Sequence, residues 1–135
     1  MDKTNKIRLK GKIIGFEEFT NYLLESPFGK SSPFRLLSCT DENIAFIVIN
    51  PYSVLNDYSF CVDDSVFREL QDNSGKETIG VLCIVIVQDK NLYVNLRSPL
   101  IINTATGKFT QIILQNEKYS ISFPINVHKN GKNKK

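Results

Sequence analysis

Residues 81–116 read VLCIVIVQDKNLYVNLRSPLIINTATGKFTQIILQN. Four apolar runs follow one another here with only short breaks. Residues 81–87 are apolar throughout and, apart from Leu82 and Cys83, β-branched. Asp89, Lys90 and Asn91 then make a turn. Residues 92–96 alternate apolar positions with Tyr93 and Asn95, and Pro99 offers no N–H to a ladder. Residues 100–102 form the third run. A turn at 104–108 precedes the fourth, 109–114. Runs this short, rich in Val and Ile and divided by Asn, Asp and Gly, predict a β-meander. Asn95, Asn103 and Asn116 lie in or beside these runs with no neighbouring nucleophile, base or metal ligand. The stretch describes a scaffold and a surface rather than a reaction centre.

The same pattern extends outward. Residues 34–39 and 44–49 read as strands joined by a hairpin-like turn at 40–43, and Pro51 ends the second. Residues 7–9 allow a short edge strand. Residues 16–24 allow a helical turn leading into a strand, and 26–33 form a plain loop. Residues 58–62 predict another short strand. Asp63 then fits an N-cap, with Asp64 in the first turn. Val66, Phe67 and Leu70 share one face of a short helix that Asn73, Ser74 and Gly75 end. A last short strand is expected over 119–123. About eight short strands and one short helix predict a mainly β protein, a small barrel-like antiparallel fold, because an open sheet of that many strands curls or closes.

A chain of 135 residues is one domain by length and long enough for one core. The longest apolar run, 81–87, is far shorter than the roughly 20 residues of a membrane-spanning helix. The charged start, MDKTNKIRLKGK, shows no secretory signal. Cys39, Cys61 and Cys83 are too dispersed for a disulfide framework or a zinc site, and read as buried thiols of a reducing compartment. The net charge of +3 is uneven: between Ile13 and His128 eight basic residues face thirteen acidic ones. The expected organisation is a basic N-terminal segment, 1–12, a single domain, 13–125, and a disordered lysine-rich tail, 126–135. An acidic centre argues against a nucleic-acid-binding core. Flexible ends explain the lysines more simply.

No catalytic constellation emerges. His128, the only histidine, lies in the tail expected to be disordered, which argues against a catalytic triad, and one histidine with dispersed cysteines argues against a metal site. Gly107-Lys108 lacks the preceding glycine of a phosphate loop and reads as a hairpin turn. Asp63 and Asp64 are explained by helix capping. Tyr58 with Phe60, Phe34 with Phe46, and Phe109 are the candidates for base stacking, but only Tyr58 and Phe60 share a face by period two, no basic residue interleaves with them, and core packing is favoured. No metal, no cofactor and no enzymatic activity is expected.

Certain blocks carry a resemblance. IAFIVINPY from Ile44, followed by DYSF from Asp57, then VNLRSPLIINT from Val94, Gly107-Lys108, QIIL from Gln111 and Tyr119-Ser120, are ordered and spaced as in the FliW family of flagellar assembly factors. Gly15-Phe16-Glu17-Glu18 resembles that family's "GFE" element. The resemblance implies a cytoplasmic bacterial protein without catalysis that works by exchanging partners. It would bind flagellin monomers before export and, when free, bind and antagonise the translational regulator CsrA, releasing flagellin mRNA. No direct nucleic-acid or membrane partner is expected. The alternatives are a small RNA-binding β-barrel using its basic ends, and a β-barrel enzyme.

Partner-binding candidates follow from position. Asn50, Pro51 and Tyr52 end a strand in a Pro-fixed loop, and loops on rigid scaffolds commonly carry function. Asp57 and Tyr58 follow closely. Asn95, Pro99 and Asn103 stand where a plain strand prefers apolar residues, and the two Asn equally suit backbone-capping roles at turns and bulges. Tyr52 is the best single anchor, an aromatic residue in a loop.

Overall fold

The computed structural model describes residues 6–70, 78–115 and 118–125. The proposed end of the helix at 73–75, Asn116, His128 and the lysine-rich tail lie outside the described residues. Nine strands and one short α-helix are present among those described. They are β1 (Ile7–Lys12), β2 (Asn21–Glu25), β3 (Phe34–Cys39), β4 (Ala45–Ile49), α1 (Asp64–Leu70), β5 (Ile79–Gln88), β6 (Asn91–Val94), β7 (Leu100–Asn103), β8 (Lys108–Gln111) and β9 (Phe123–Pro124). Seven of them close a barrel in the order β4-β3-β2-β1-β8-β7-β5, with β5 returning to β4. No helix among the described residues is long and apolar enough to cross a membrane.

The inward faces follow the period of two that strands impose. Leu9, Tyr22, Leu24, Leu37, Val48, Leu82, Leu100, Ile102 and Phe109 fill the barrel. A second core lies on the outer face of β4, β5 and β6, where Ile49, Cys83, Val85 and Val94 pack against Tyr58, Leu96, Leu114 and Tyr119. Strand β5 serves both cores: Leu82 faces the barrel while Cys83 and Val85 face the outer layer. Burial on both faces explains why 81–85 is apolar without alternation, whereas Ile86 and Val87 are exposed.

The expected meander takes a different form. Strands β6 and β7 do not pair with each other. Both run antiparallel to β5, β6 along Val85–Gln88 and β7 along Ile79–Leu82, one after the other. Between the partners Val94↔Val85 and Leu100↔Leu82, residues 95–99 bulge out. The hairpin into β6 turns on Asp89 and Lys90, both with positive φ (53° and 68°), the geometry of a two-residue turn matching strand twist.

Three further expectations change. The edge strand proposed at 7–9 is an interior strand: β1 pairs antiparallel with β2 and parallel with β8. It extends through residues that the charge pattern placed in a basic segment. It is also the one parallel partner in an otherwise antiparallel barrel. Residues 58–62 form no ladder, because side chains take the ladder's place: the Tyr119 hydroxyl accepts from Ser59 N and donates to Ser59 O, each at 3.0 Å. The last strand is only Phe123–Pro124, held on β6.

Candidate functional site

The turn after β4 is built by Asn50. Its Oδ1 accepts the Tyr52 N–H at 2.9 Å, and its carbonyl accepts the Ser53 N–H at 3.0 Å and the Ser53 hydroxyl at 2.6 Å. Pro51 opens a single 3₁₀ turn over Pro51–Ser53, where its fixed φ suits the first position. Pro51 is buried, and its carbonyl accepts from Val54 and Leu55. The turn is therefore pinned from below while Tyr52 stays 42% exposed. Asp57 is exposed on the return of the chain.

Tyr58 ties this turn to the rest of the site. Its ring contacts Tyr52 edge-on at 5.6 Å between centroids, Phe60 at 5.2 Å and Tyr119 at 4.6 Å. Its hydroxyl donates to the Leu96 carbonyl at 2.5 Å, thirty-eight residues away, and the Cys83 thiol approaches it at 4.0 Å. Burial, followed by the neighbouring Cys83, pushes the Tyr58 hydroxyl far above the ordinary phenol range. Burial also pushes the Cys83 thiol up to about 12. Tyr52 is raised as well, first by burial and then by Cys83 and Tyr119. All three groups are neutral at physiological pH, so the cluster is a packed, hydrogen-bonded support rather than a source of nucleophile or base.

The remaining candidates divide by position. Asn95 is half-buried in the 95–99 bulge; its Oδ1 accepts the N–H groups of Arg97 and Ser98, both at 3.1 Å. Pro99 is buried, and its carbonyl accepts Ile112 N at 3.1 Å. The Tyr58–Leu96 bond brings this bulge against the Tyr52 turn. Asn103 stands apart from that junction and is fully buried. Its Nδ2 donates to the Leu70 carbonyl at 2.7 Å, capping the end of α1, and its Oδ1 accepts Ala105 N at 2.9 Å. Of the eight candidates, Asn50, Tyr52 and Asp57 are exposed.

Beside Tyr52 lies a cleft of about 420 Å³ whose walls include Phe60, Val62 and Ile79, with Asn50 on its rim. Ile79 is itself 37% exposed. An apolar cleft flanked by an exposed aromatic ring and an amide fits an apolar side chain of a protein partner. Sequence reasoning missed Ile79 and Val62. Both are apolar residues at positions that strand periodicity cannot distinguish from core. Among the described residues no group of three or more His, Cys, Asp and Glu is placed to hold a metal ion.

Comparison with known proteins places this surface in context. The family model described as "FliW protein" matches residues 1–125. A flagellar assembly factor FliW of Clostridium novyi is 37% identical over 122 residues, covering 88% of this chain and 84% of the relative. The FliW of Caldicellulosiruptor bescii is 32% identical over 129 residues, covering 91% of this chain and 81% of the relative. A solved structure described as "Crystal structure of the flagellar assembly factor FliW" superposes with a TM-score of 0.76 at 25% identity, covering 92% of this chain and 87% of that one. Sequence blocks, barrel and whole-length matches agree: the chain belongs to the FliW family of flagellar assembly factors.

Proposed function

We propose that this protein works by partner exchange in the cytoplasm. It holds flagellin monomers before export and, once flagellin has left, binds a CsrA-type regulator and relieves repression of flagellin mRNA. Family membership supports the flagellar role. The observation that carries the reading to a surface is Tyr52, an exposed ring on a turn held by the Asn50 side chain and the Asn50 and Pro51 carbonyls, beside an apolar cleft. Rigid aromatic anchors of this kind lose little entropy on binding. Size exclusion of the purified protein with monomeric flagellin tests the first half. Co-elution at micromolar concentration is expected, and separate elution overturns it. For the second half, adding the protein to a regulator–RNA complex is expected to release free RNA in a mobility-shift assay.

One observation favours a second reading, direct contact with RNA. Arg8, Lys10 and Lys12 alternate along the exposed face of β1, and Lys10 stands opposite Lys108 on β8. Their cross-strand partners Leu23, Asn21 and Thr110 are uncharged, so the stripe has no carboxylate in register. Basic charge therefore lies on the folded surface, where the sequence expectation placed it in a flexible end. A shift of RNA by the protein alone, weakening steeply with salt, would select this reading over antagonism.

A further inference from the structure

The two ends of the barrel differ. At one end Gln111 links the segments beside β8: its Oε1 accepts Ile14 N at 2.8 Å and its Nε2 donates to Ser98 O at 3.0 Å. At the open end is a cavity of about 440 Å³, within the range of about 300–1,000 Å³ typical of small-molecule sites. Its floor is Leu9, Leu24, Leu82 and Ile102, the same residues that form the barrel core. Gly80 contributes no side chain to the wall, which keeps the mouth wide; an added Cβ would meet Thr104 Cγ2 at 3.2 Å.

Arg35 is the one charged residue lining this cavity. It occupies the same face of β3 as the buried Leu37 and Cys39 and stands opposite the buried Val48. By strand alternation it is an inward position at the barrel rim. No Asp or Glu lines the cavity, and Arg35 has no ion pair or side-chain hydrogen bond among the described residues. Glu25, the carboxylate on the neighbouring strand, pairs with Leu36, on the opposite face of β3. Of the rim hydroxyls, Ser53 donates to Asn50 O and Thr104 to Thr78 O, while Ser32 Oγ accepts the Phe34 N–H. The one charge at the mouth is thus the Arg35 guanidinium, above an apolar well.

We propose that the open barrel end binds a medium-chain alkyl carboxylate, a free fatty acid, with its chain among Leu9, Leu24, Leu82 and Ile102 and its carboxylate on Arg35. A planar guanidinium pairs a carboxylate through two parallel hydrogen bonds. The apolar well supplies the driving force for the chain. An alcohol of equal length keeps the chain contacts and loses the charged pair, and an alkylamine meets the cation with a like charge.

Isothermal titration of the full chain with decanoate, decanol, decylamine and butyrate, each kept below its aggregation limit, tests the assignment. Decanoate is expected to bind at least about tenfold more tightly than decanol, the scale of one charge-assisted pair. Butyrate and decylamine are expected to show no saturable heat. Arg35→Gln is expected to bring decanoate down to the level of decanol without changing the melting temperature of the free protein, and Arg35→Lys to restore part of the difference. Methyl NMR shifts on decanoate addition are expected at Leu24, Leu82 and Ile102. Equal affinity for decanoate and decanol, decanoate binding that survives Arg35→Gln, or shifts confined to residues outside the barrel would each overturn the proposal, as would no binding of decanoate at all.

Discussion

Gly11 and Phe109 share one volume at the parallel seam of the barrel. Strand β1 meets β8 with Gly11 opposite Phe109, and a Cβ on Gly11 would overlap the Phe109 carbonyl and approach two of its ring carbons to 2.7 Å. The next contact along is equally close: Gly107, at φ +85°, lies under the Arg8 carbonyl and accepts the Lys10 N–H at 2.8 Å. The two glycines let β1 reach β8, and that pairing closes the cylinder. Gly11→Ala is therefore expected to lower stability by about 1–3 kcal/mol, as overpacking in a dense interior does. Denaturant unfolding measures it, and an unchanged midpoint would show that the seam yields without cost.

Tyr58→Phe keeps the three ring contacts and removes one hydroxyl. The Leu96 carbonyl then loses its donor in a buried setting. The expected loss is about 1–3 kcal/mol, the penalty for a stranded buried polar group. Chemical denaturation of the single variant checks this. A near-neutral result would mean that another donor reaches Leu96.

Tyr52→Ala is expected to separate binding from stability. Its ring contact with Tyr58 limits the folding loss to about 0.5–1.5 kcal/mol, while removing an interface anchor costs about 2 kcal/mol or more in affinity. Titration calorimetry against flagellin and thermal melting, run on the same preparation, give both numbers. A drop in melting with unchanged affinity would place the flagellin contact elsewhere.

The cysteines give a pH prediction with a definite sign. Cys83 is held protonated when folded, up to about 12, whereas in the unfolded chain it ionises near the ordinary thiol value of about 8.5. Above that value the unfolded state has released a proton that the folded state still binds, so stability falls as pH rises towards 12. Cys83→Ala is expected to flatten this fall while costing some packing. In the native protein at neutral pH Cys39 and Cys83 are buried as the sequence suggests, whereas Cys61, expected to be buried with them, is exposed because residues 58–62 form no strand. A thiol reagent is expected to modify one site quickly, and Cys61→Ser to abolish that fast phase. Three fast equivalents would contradict the burial.

Local pattern carried the fold a long way. Residues 34–39 match their observed strand because turn residues bound them on both sides, and the helix begins at Asp64, where the acidic pair marks its start. What pattern misread depends on contacts distant in sequence. The Tyr58 region alternates as a strand does, yet its backbone is satisfied by a tyrosine hydroxyl sixty residues away. Strand β1 reads as an edge because nothing in its own residues shows that β8 lies alongside. Asn103 reads equally well as a cap or a contact until Leu70 is seen above it. The candidate surface was legible at Tyr52, since Asn50 and Pro51 announce a fixed turn. The cleft wall at Ile79 was not, because exposure at the end of a long apolar strand leaves no mark in the sequence.

The double duty of β5 has a mechanical consequence. A protein with two cores ordinarily has a seam between them, along which one can open while the other holds. Here neighbouring residues of one strand point into different cores, so neither can loosen without dragging the same backbone. The amides at 81–85 are thus the expected last to exchange with solvent, and the barrel and its outer layer melt together. A partner seated at Tyr52, on the outer layer, would be felt as added rigidity on the far side of the strand, at the mouth where Arg35 stands.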